Sequence, residues 1–185
     1  MDVSAPSPTE VVDSETDLRR CIRTIPDFPI PGILFRDITT LLKDGKAFQE
    51  AIDRMVKPFL DRPIDIVAAV EARGYIFAAP IALRLGVGMI LVRKPGKLPF
   101  ETIEQEYALE YGTNTLEVHK DAVAPGMRVL VVDDLIATGG SAQATARLLE
   151  KLGARVEAFS FLIELEDLKG RDLLQGYDVH AVVGY

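Results

Sequence analysis

The chain has 185 residues, 48% of them hydrophobic, enough to bury one sizeable core and fold as one domain. Its net charge of −7 argues against a nucleic-acid binder, which needs a basic face, and means that a polyanionic substrate must be met by local cations. A single cysteine, Cys21, excludes an internal disulfide and fits a reducing, cytoplasmic compartment; His119 and His180 lack metal-ligand spacing; and no apolar run approaches membrane-spanning length.

Residues 1–13 are rich in Ser, Pro, Asp and Glu and lack the basic and apolar regions of a signal peptide, so they read as a mobile tail. Residues 14–25 read as a helix with Leu18, Cys21, Ile22 and Ile25 on one side and Ser14 as N-cap. Residues 26–37 hold Pro26, Pro29 and Pro31, which keep the chain extended. An amphipathic helix over 46–60 turns Phe48, Ile52, Met55, Val56 and Phe59 inward. A buried strand at 64–70 leads through the turn Glu71-Ala72-Arg73-Gly74 into an apolar helix at 75–85. A strand at 89–92 then ends in Arg93-Lys94-Pro95-Gly96-Lys97. Residues 107–112 and 115–118 read as a hairpin turning at Gly112-Thr113-Asn114, a natural lid between parallel strands. Beyond 127–153, a strand at 155–163, a short helix at 166–174 broken by Gly170 and a last strand at 179–182 complete five core strands, hence an α/β chain with a parallel sheet.

The chemistry concentrates in residues 127–153. Residues 129–132 form a continuous apolar run suited to a strand buried on both faces. Asp133 and Asp134 follow where that strand should end, then a loop of small residues over 135–141, then a helix from Ala142 to the cap at Gly153. Gly139 and Gly140 let the backbone approach a ligand, and the helix N-terminus adds donors and partial positive charge, so the turn suits a phosphate. The spacing is neither Walker A nor G-x-G-x-x-G. The two carboxylates repel phosphate and instead suit ribose hydroxyls. Taken alone, the acidic pair reads equally as a capped turn, and the basic cluster at 93–97 as a solvated loop. Ligands of open α/β sheets lie beyond the carboxyl ends of the strands, which brings Arg73, Arg93, Lys94 and Lys97 toward the glycine loop.

Residues 129–141, VLVVDDLIATGGS, resemble the phosphoribosyl-pyrophosphate motif of type I phosphoribosyltransferases. From about residue 22 to 174 the chain is similar to the adenine phosphoribosyltransferases of that family. PDFPxPGxxFRD at 26–37, EARG at 71–74, RKxGKLP at 93–99 and YxLEYG at 107–112 carry the closer match. The resemblance implies a type I phosphoribosyltransferase fold: a central, mostly parallel five-stranded sheet flanked by helices, with a small hood at 14–40 and a hairpin lid at 98–119 in one domain spanning 14–185. It implies transfer of a phosphoribosyl group from phosphoribosyl pyrophosphate to adenine, giving AMP and pyrophosphate.

The resemblance also implies roles for individual residues. Asp133, Asp134, Ala137, Thr138, Gly139, Gly140 and Ser141 hold the ribose 5-phosphate, and Glu71, Ala72, Arg73, Lys94 and Lys97 the pyrophosphate. Leu34, Phe35, Arg36 and Leu135 form the adenine pocket. Glu110 acts as general acid/base, and Arg73 and Lys97 stabilise the leaving anion. Mg2+ enters through substrate and water rather than through direct protein ligands, and a homodimer is implied. Glu106 departs from the Ser that many relatives carry, and Ser141 replaces a frequent Thr while keeping the hydroxyl. A strained cis peptide near residues 71–73 is common in the family. Two alternatives stay open: a transferase for hypoxanthine or guanine, and a non-catalytic sensor of phosphoribosyl pyrophosphate.

Overall fold

The structure, a computed structural model, describes residues 17–108 and 112–185. The chain clusters into two compact units, Met1–Ala47 and Phe48–Tyr185. In the first, Asp17 caps a single helical turn, α1 (Leu18–Cys21), by accepting the Arg19 N–H at 3.2 Å. The helix predicted over 14–25 therefore ends early. Its second half is a strand, β1 (Arg23–Pro26), paired antiparallel with β2 (Leu34–Asp37). Pro26 disfavours helical backbone at Ile25, and β2 offers the partners that a helix would otherwise supply. Ser14 and the tail at 1–13 lie outside the described residues. A second short helix, α2 (Thr39–Leu42), follows Asp37. Asp37 pairs with Arg23 and accepts the Thr39 N–H and hydroxyl, both at 2.9 Å. Arg23 foremost, these partners hold its carboxyl at about 2.

Helix α3 (Gly45–Val56) leads into the second unit and ends in a 3-10 turn, Lys57–Phe59. Ala51, Ile52, Met55, Val56 and Phe59 are buried, as the predicted amphipathic pattern requires. Then come β3 (Ile66–Val70), α4 (Gly74–Leu85), β4 (Gly88–Val92), β5 (Thr102–Ala108), β6 (Thr113–His119), β7 (Arg128–Ile136), α5 (Gly140–Lys151), β8 (Arg155–Glu164) and β9 (Val179–Gly184). Two 3-10 turns, Glu166–Leu168 and Gly170–Leu174, replace the short helix predicted at 166–174. The core sheet runs β4-β3-β7-β8-β9 with every pair parallel, the predicted number and direction of strands.

Strand alternation assigns the two faces. Phe159 and Phe161 of β8 join Val129, Val131, Ala146 and Leu149 in the core beneath α5. Ser160 points the other way and donates its hydroxyl to the Met55 carbonyl of α3 at 2.8 Å. Phe48 of α3 meets Phe77 of α4 edge to face, centroids 5.9 Å apart. β5 and β6 form a separate antiparallel hairpin. Its register, Ala108↔Thr113 and Tyr107↔Asn114, places Thr113 and Asn114 in a strand rather than in the predicted turn. Alternation again explains β5: Ile103, Gln105 and Tyr107 are half-buried while Glu104, Glu106 and Ala108 are exposed. Leu109, Glu110 and Tyr111 lie outside the described residues.

Candidate active site

A cleft opens where two neighbours of β7 part company. β3 pairs with β7 only as far as Ala69↔Val132 and turns away at Glu71, whereas β8 follows β7 to Ile136↔Glu164. Asp133 and Asp134 therefore lie inside the strand and not after it, because β8 keeps satisfying their backbone. The end of β7 left bare by β3 lines a cavity of about 320 Å³ beyond the carboxyl ends of the strands. Glu71, Ala72, Arg73, Lys94, Asp133, Asp134, Leu135, Ala137, Thr138, Gly139 and Ser141 all line it. The structure thus brings together most of the predicted sugar-phosphate and pyrophosphate residues.

The remaining predicted residues are Lys97, Gly140, the three of β2 and Glu110. Lys97 does not line the cavity; its Nζ lies 3.2 Å from Glu71 Oε1. Gly140 begins α5 and faces Tyr107 and Ala108 of the hairpin. Leu34, Phe35 and Arg36 form part of β2 in the first unit, where Phe35 meets Phe28 edge-on with centroids 5.1 Å apart. Glu110 lies outside the described residues. Tyr107 and Leu116, one from each strand of the hairpin, also line the cavity and were not anticipated as site residues. Once the hairpin register is known, alternation marks both as inward positions.

Charge is arranged in two clusters. Arg73 Nε lies 2.8 Å from Asp134 Oδ2, and the Asp134 N–H donates to Asp133 Oδ1 at 2.9 Å. Burial raises the Asp133 carboxyl well above the usual carboxylate range, and repulsion from Asp134 adds to it. Burial also raises Asp134, with Arg73 opposing the rise. Across the cavity, Glu71 is the hub of the basic loop. Its Oε1 accepts the Lys94 N–H at 2.8 Å and lies near Lys97, while Oε2 accepts from Arg93 Nε at 3.0 Å. Burial works against the Glu71 carboxylate, yet Lys94, Arg93 and Lys97 outweigh it and lower its pKa. The Glu71 side chain therefore organises cations, and the Glu71–Ala72 peptide is cis.

The glycine loop also makes a close contact within the protein. Gly139 has φ +83°, and a Cβ there would stand 2.3 Å from the Gly170 carbonyl oxygen. A Cβ on Gly170 would stand 2.3 Å from the Ala137 carbonyl oxygen. These two glycines thus exclude side chains from a contact within the protein, between the loop before α5 and the turn after β8. At Gly74 a Cβ would meet Asp133 Oδ1 at 2.8 Å, so α4 approaches β7 closely only because the residue is bare. No side chain caps α5, whose N-terminus adjoins the cavity-lining Gly139 and Ser141.

Gly139→Val should cost about 2–4 kcal/mol of stability, combining left-handed backbone strain with overpacking against Gly170. For a chain of this size that corresponds to a melting temperature roughly 5–15 °C lower. Scanning calorimetry checks it; a Val variant melting within a degree of the parent would show that Gly170 yields freely.

Residues 39–178 match the phosphoribosyl transferase domain. Adenine phosphoribosyltransferase of Roseiflexus sp. (strain RS-1) is 55% identical over 170 residues, covering 92% of this chain and 99% of that protein. The adenine phosphoribosyltransferase of Thermotoga neapolitana is 55% identical over 169 residues, 91% of this chain and 99% of the relative. The crystal structure of adenine phosphoribosyltransferase from Thermoanaerobacter pseudethanolicus superposes with a TM-score of 0.89 at 54% identity, covering 91% of this chain and 98% of that one. That of the Saccharomyces cerevisiae enzyme, complexed with an imino-altritol bisphosphate and adenine, gives 0.84 at 39% identity over 89% and 96% of the two chains. The parallel sheet, the acidic pair on its central strand and the glycine turn at the head of α5 go together with these likenesses: the chain belongs to the type I phosphoribosyltransferase family, alongside the adenine phosphoribosyltransferases.

Proposed function

We infer that the chain transfers the 5-phosphoribosyl group of phosphoribosyl pyrophosphate to adenine, giving AMP and pyrophosphate, a purine-salvage reaction. One observation carries this: a single cavity joins two strand-borne carboxylates, an uncapped helix N-terminus and a cationic turn. Asp133 and Asp134 accept the ribose 2′- and 3′-hydroxyls and lie near the positive charge that develops at the anomeric carbon as its bond to pyrophosphate breaks. Ala137, Thr138, Gly139, Gly140 and Ser141 grip the 5′-phosphate through amides of the α5 N-terminus. Arg73, Lys94 and Lys97, with the backbone of Glu71 and Ala72, receive the departing pyrophosphate. Leu34, Phe35, Arg36 and Leu135 hold adenine, and Glu110 exchanges a proton with a purine ring nitrogen as the new bond to the anomeric carbon forms.

Among the described residues no group of three or more His, Cys, Asp or Glu side chains could hold a metal ion. The cavity nevertheless carries two hard carboxylates, which fits Mg2+ coordinated mainly by substrate oxygens and water. Such an ion, when bound, neutralises charge on the pyrophosphate. Residues 14–40 serve as a hood and 98–119 as a lid within one domain spanning 14–185, and the chain works as a cytoplasmic homodimer; both statements follow the family resemblance. No helix among the described residues is long and apolar enough to cross a membrane.

A spectrophotometric screen of adenine, hypoxanthine and guanine with phosphoribosyl pyrophosphate and Mg2+ tests the assignment. Adenine should be the preferred acceptor. Preference for another purine would reassign the base, and binding of phosphoribosyl pyrophosphate with no turnover would favour a sensor.

Lys97→Ala gives a graded expectation. Its side chain is half exposed and shared with Glu71, so its loss should cost about 10–100-fold in kcat/KM, mostly through phosphoribosyl pyrophosphate. Steady-state kinetics decide, and an unchanged kcat/KM would leave Lys97 a solvated surface charge.

A further inference from the structure

Glu117 lies on β6 with only 3% of its surface exposed. Its neighbour Leu116 faces the cavity, so Glu117 points the opposite way along the strand. There its Oε1 accepts the N–H groups of Lys97 at 2.9 Å and Leu98 at 3.0 Å. Its backbone meanwhile exchanges two hydrogen bonds with Arg93: Arg93 N donates to the Glu117 carbonyl at 2.9 Å, and Glu117 N to the Arg93 carbonyl at 2.7 Å. One residue thus grasps both ends of the basic loop at 93–98. Glu71 holds the same loop from the cavity side through Lys94 N, Arg93 and Lys97.

Burying a carboxylate to close a loop is costly unless its lone pairs are filled. Here backbone amides fill them, and although burial opposes it, the amides of Leu98, Lys97 and Gly96 lower the Glu117 pKa. The loop so held presents Lys94 to the cavity while its own amides at 97 and 98 are tied behind it. Because β6 is one strand of the hairpin, the same residue joins the hairpin's base to the cationic loop.

We propose that Glu117 is a positioning residue for the pyrophosphate side of the site: it sets the loop at 93–98 in its anion-receiving shape and couples that loop to the hairpin. This deepens the phosphoribosyltransferase assignment and rests on it.

The test compares Glu117→Ala and Glu117→Gln with the parent, varying phosphoribosyl pyrophosphate and adenine separately and measuring AMP and pyrophosphate affinity by calorimetry. Glu117→Ala should raise KM for phosphoribosyl pyrophosphate and weaken pyrophosphate binding by about tenfold or more, the scale of a displaced anion site. KM for adenine and the Kd of AMP should stay within about twofold. Glu117→Gln keeps a carbonyl acceptor for both amides and should remain within about threefold of the parent. Three outcomes overturn the proposal: pyrophosphate binding unchanged in Glu117→Ala; a Gln variant as impaired as the Ala variant; or parallel losses for adenine, AMP and pyrophosphate, as general unpacking would produce. If the Ala variant fails to fold, Glu117→Asp, whose shorter side chain withdraws the carboxylate from the Lys97 and Leu98 amides, takes its place under the limits set for Ala. Should the parent turn over no purine, the transferase assignment fails while the pyrophosphate titrations still judge Glu117.

Discussion

Asp133→Asn should lower kcat/KM by roughly 10²–10³-fold while making the protein more stable, the activity loss being the scale for removing one preorganised electrostatic group. The two effects share one cause. Asp133 lines the cavity, and burial first, then repulsion from Asp134, raise its carboxyl well above the usual range. The folded chain therefore holds this proton to higher pH than the unfolded chain does. Stability falls as pH rises from the ordinary carboxylate range to the raised value, and the full cost is present above it. Asn removes that cost and keeps an oxygen for the Asp134 N–H, which Asp133 Oδ1 accepts at 2.9 Å. Above the raised value the variant should melt higher than the parent by roughly 2–4 °C, about 1 kcal/mol for a chain of this size, and the gain should vanish below the ordinary carboxylate range, where the parent's group is protonated in both states. The sugar hydroxyls need the carboxylate as acceptor, so ribose-phosphate affinity in the parent should fall as pH drops through the raised value. Melting curves across pH, beside kinetics, check both halves. A variant that loses activity and melts lower at alkaline pH would show that the charge supports the fold.

Glu110→Gln should reduce kcat by roughly 10²–10⁴-fold with affinity for phosphoribosyl pyrophosphate little changed, the usual contribution of a general acid/base. Tyr107 on β5 and Leu116 on β6 both line the cavity, so the strands on either side of the segment 109–112 border the site. Glu110 belongs to that segment. Gln preserves shape and hydrogen bonding but cannot exchange the proton. Single-turnover kinetics with adenine separate chemistry from product release. A Gln variant within a few-fold of the parent would leave Glu110 a polar residue of the hairpin without a part in proton transfer.

The uneven legibility of the chain has physical causes. Apolar runs at 64–70, 89–92 and 129–132 marked the parallel strands because a strand covered on both faces needs no polar side. The amphipathic pattern at 46–60 marked α3 for the matching reason. Where the reading slipped, a distant partner outweighed local preference. Residues 23–26 became a strand through pairing with 34–37, and β7 ran on through the acidic pair because β8 accompanies it. Thr113 and Asn114 entered β6 because their partners lie on β5. The predicted strand-to-helix motif stood, and its glycines also meet Gly170 and the hairpin, contacts invisible to spacing.

By itself, then, the amino-acid order determined the α/β class, the parallel sheet, the motif VLVVDDLIATGGS and the cations available to an anionic ligand. Each follows from local periodicity or from residue chemistry within a few positions. Only the tertiary structure decided that β3 leaves β7 at Val132 to open the cavity, that Glu71 gathers the cations, and that the buried Glu117 clasps the loop at 93–98. Those depend on groups brought together across about 20 residues or more of chain, where strand register and burial, not neighbouring sequence, choose the partner.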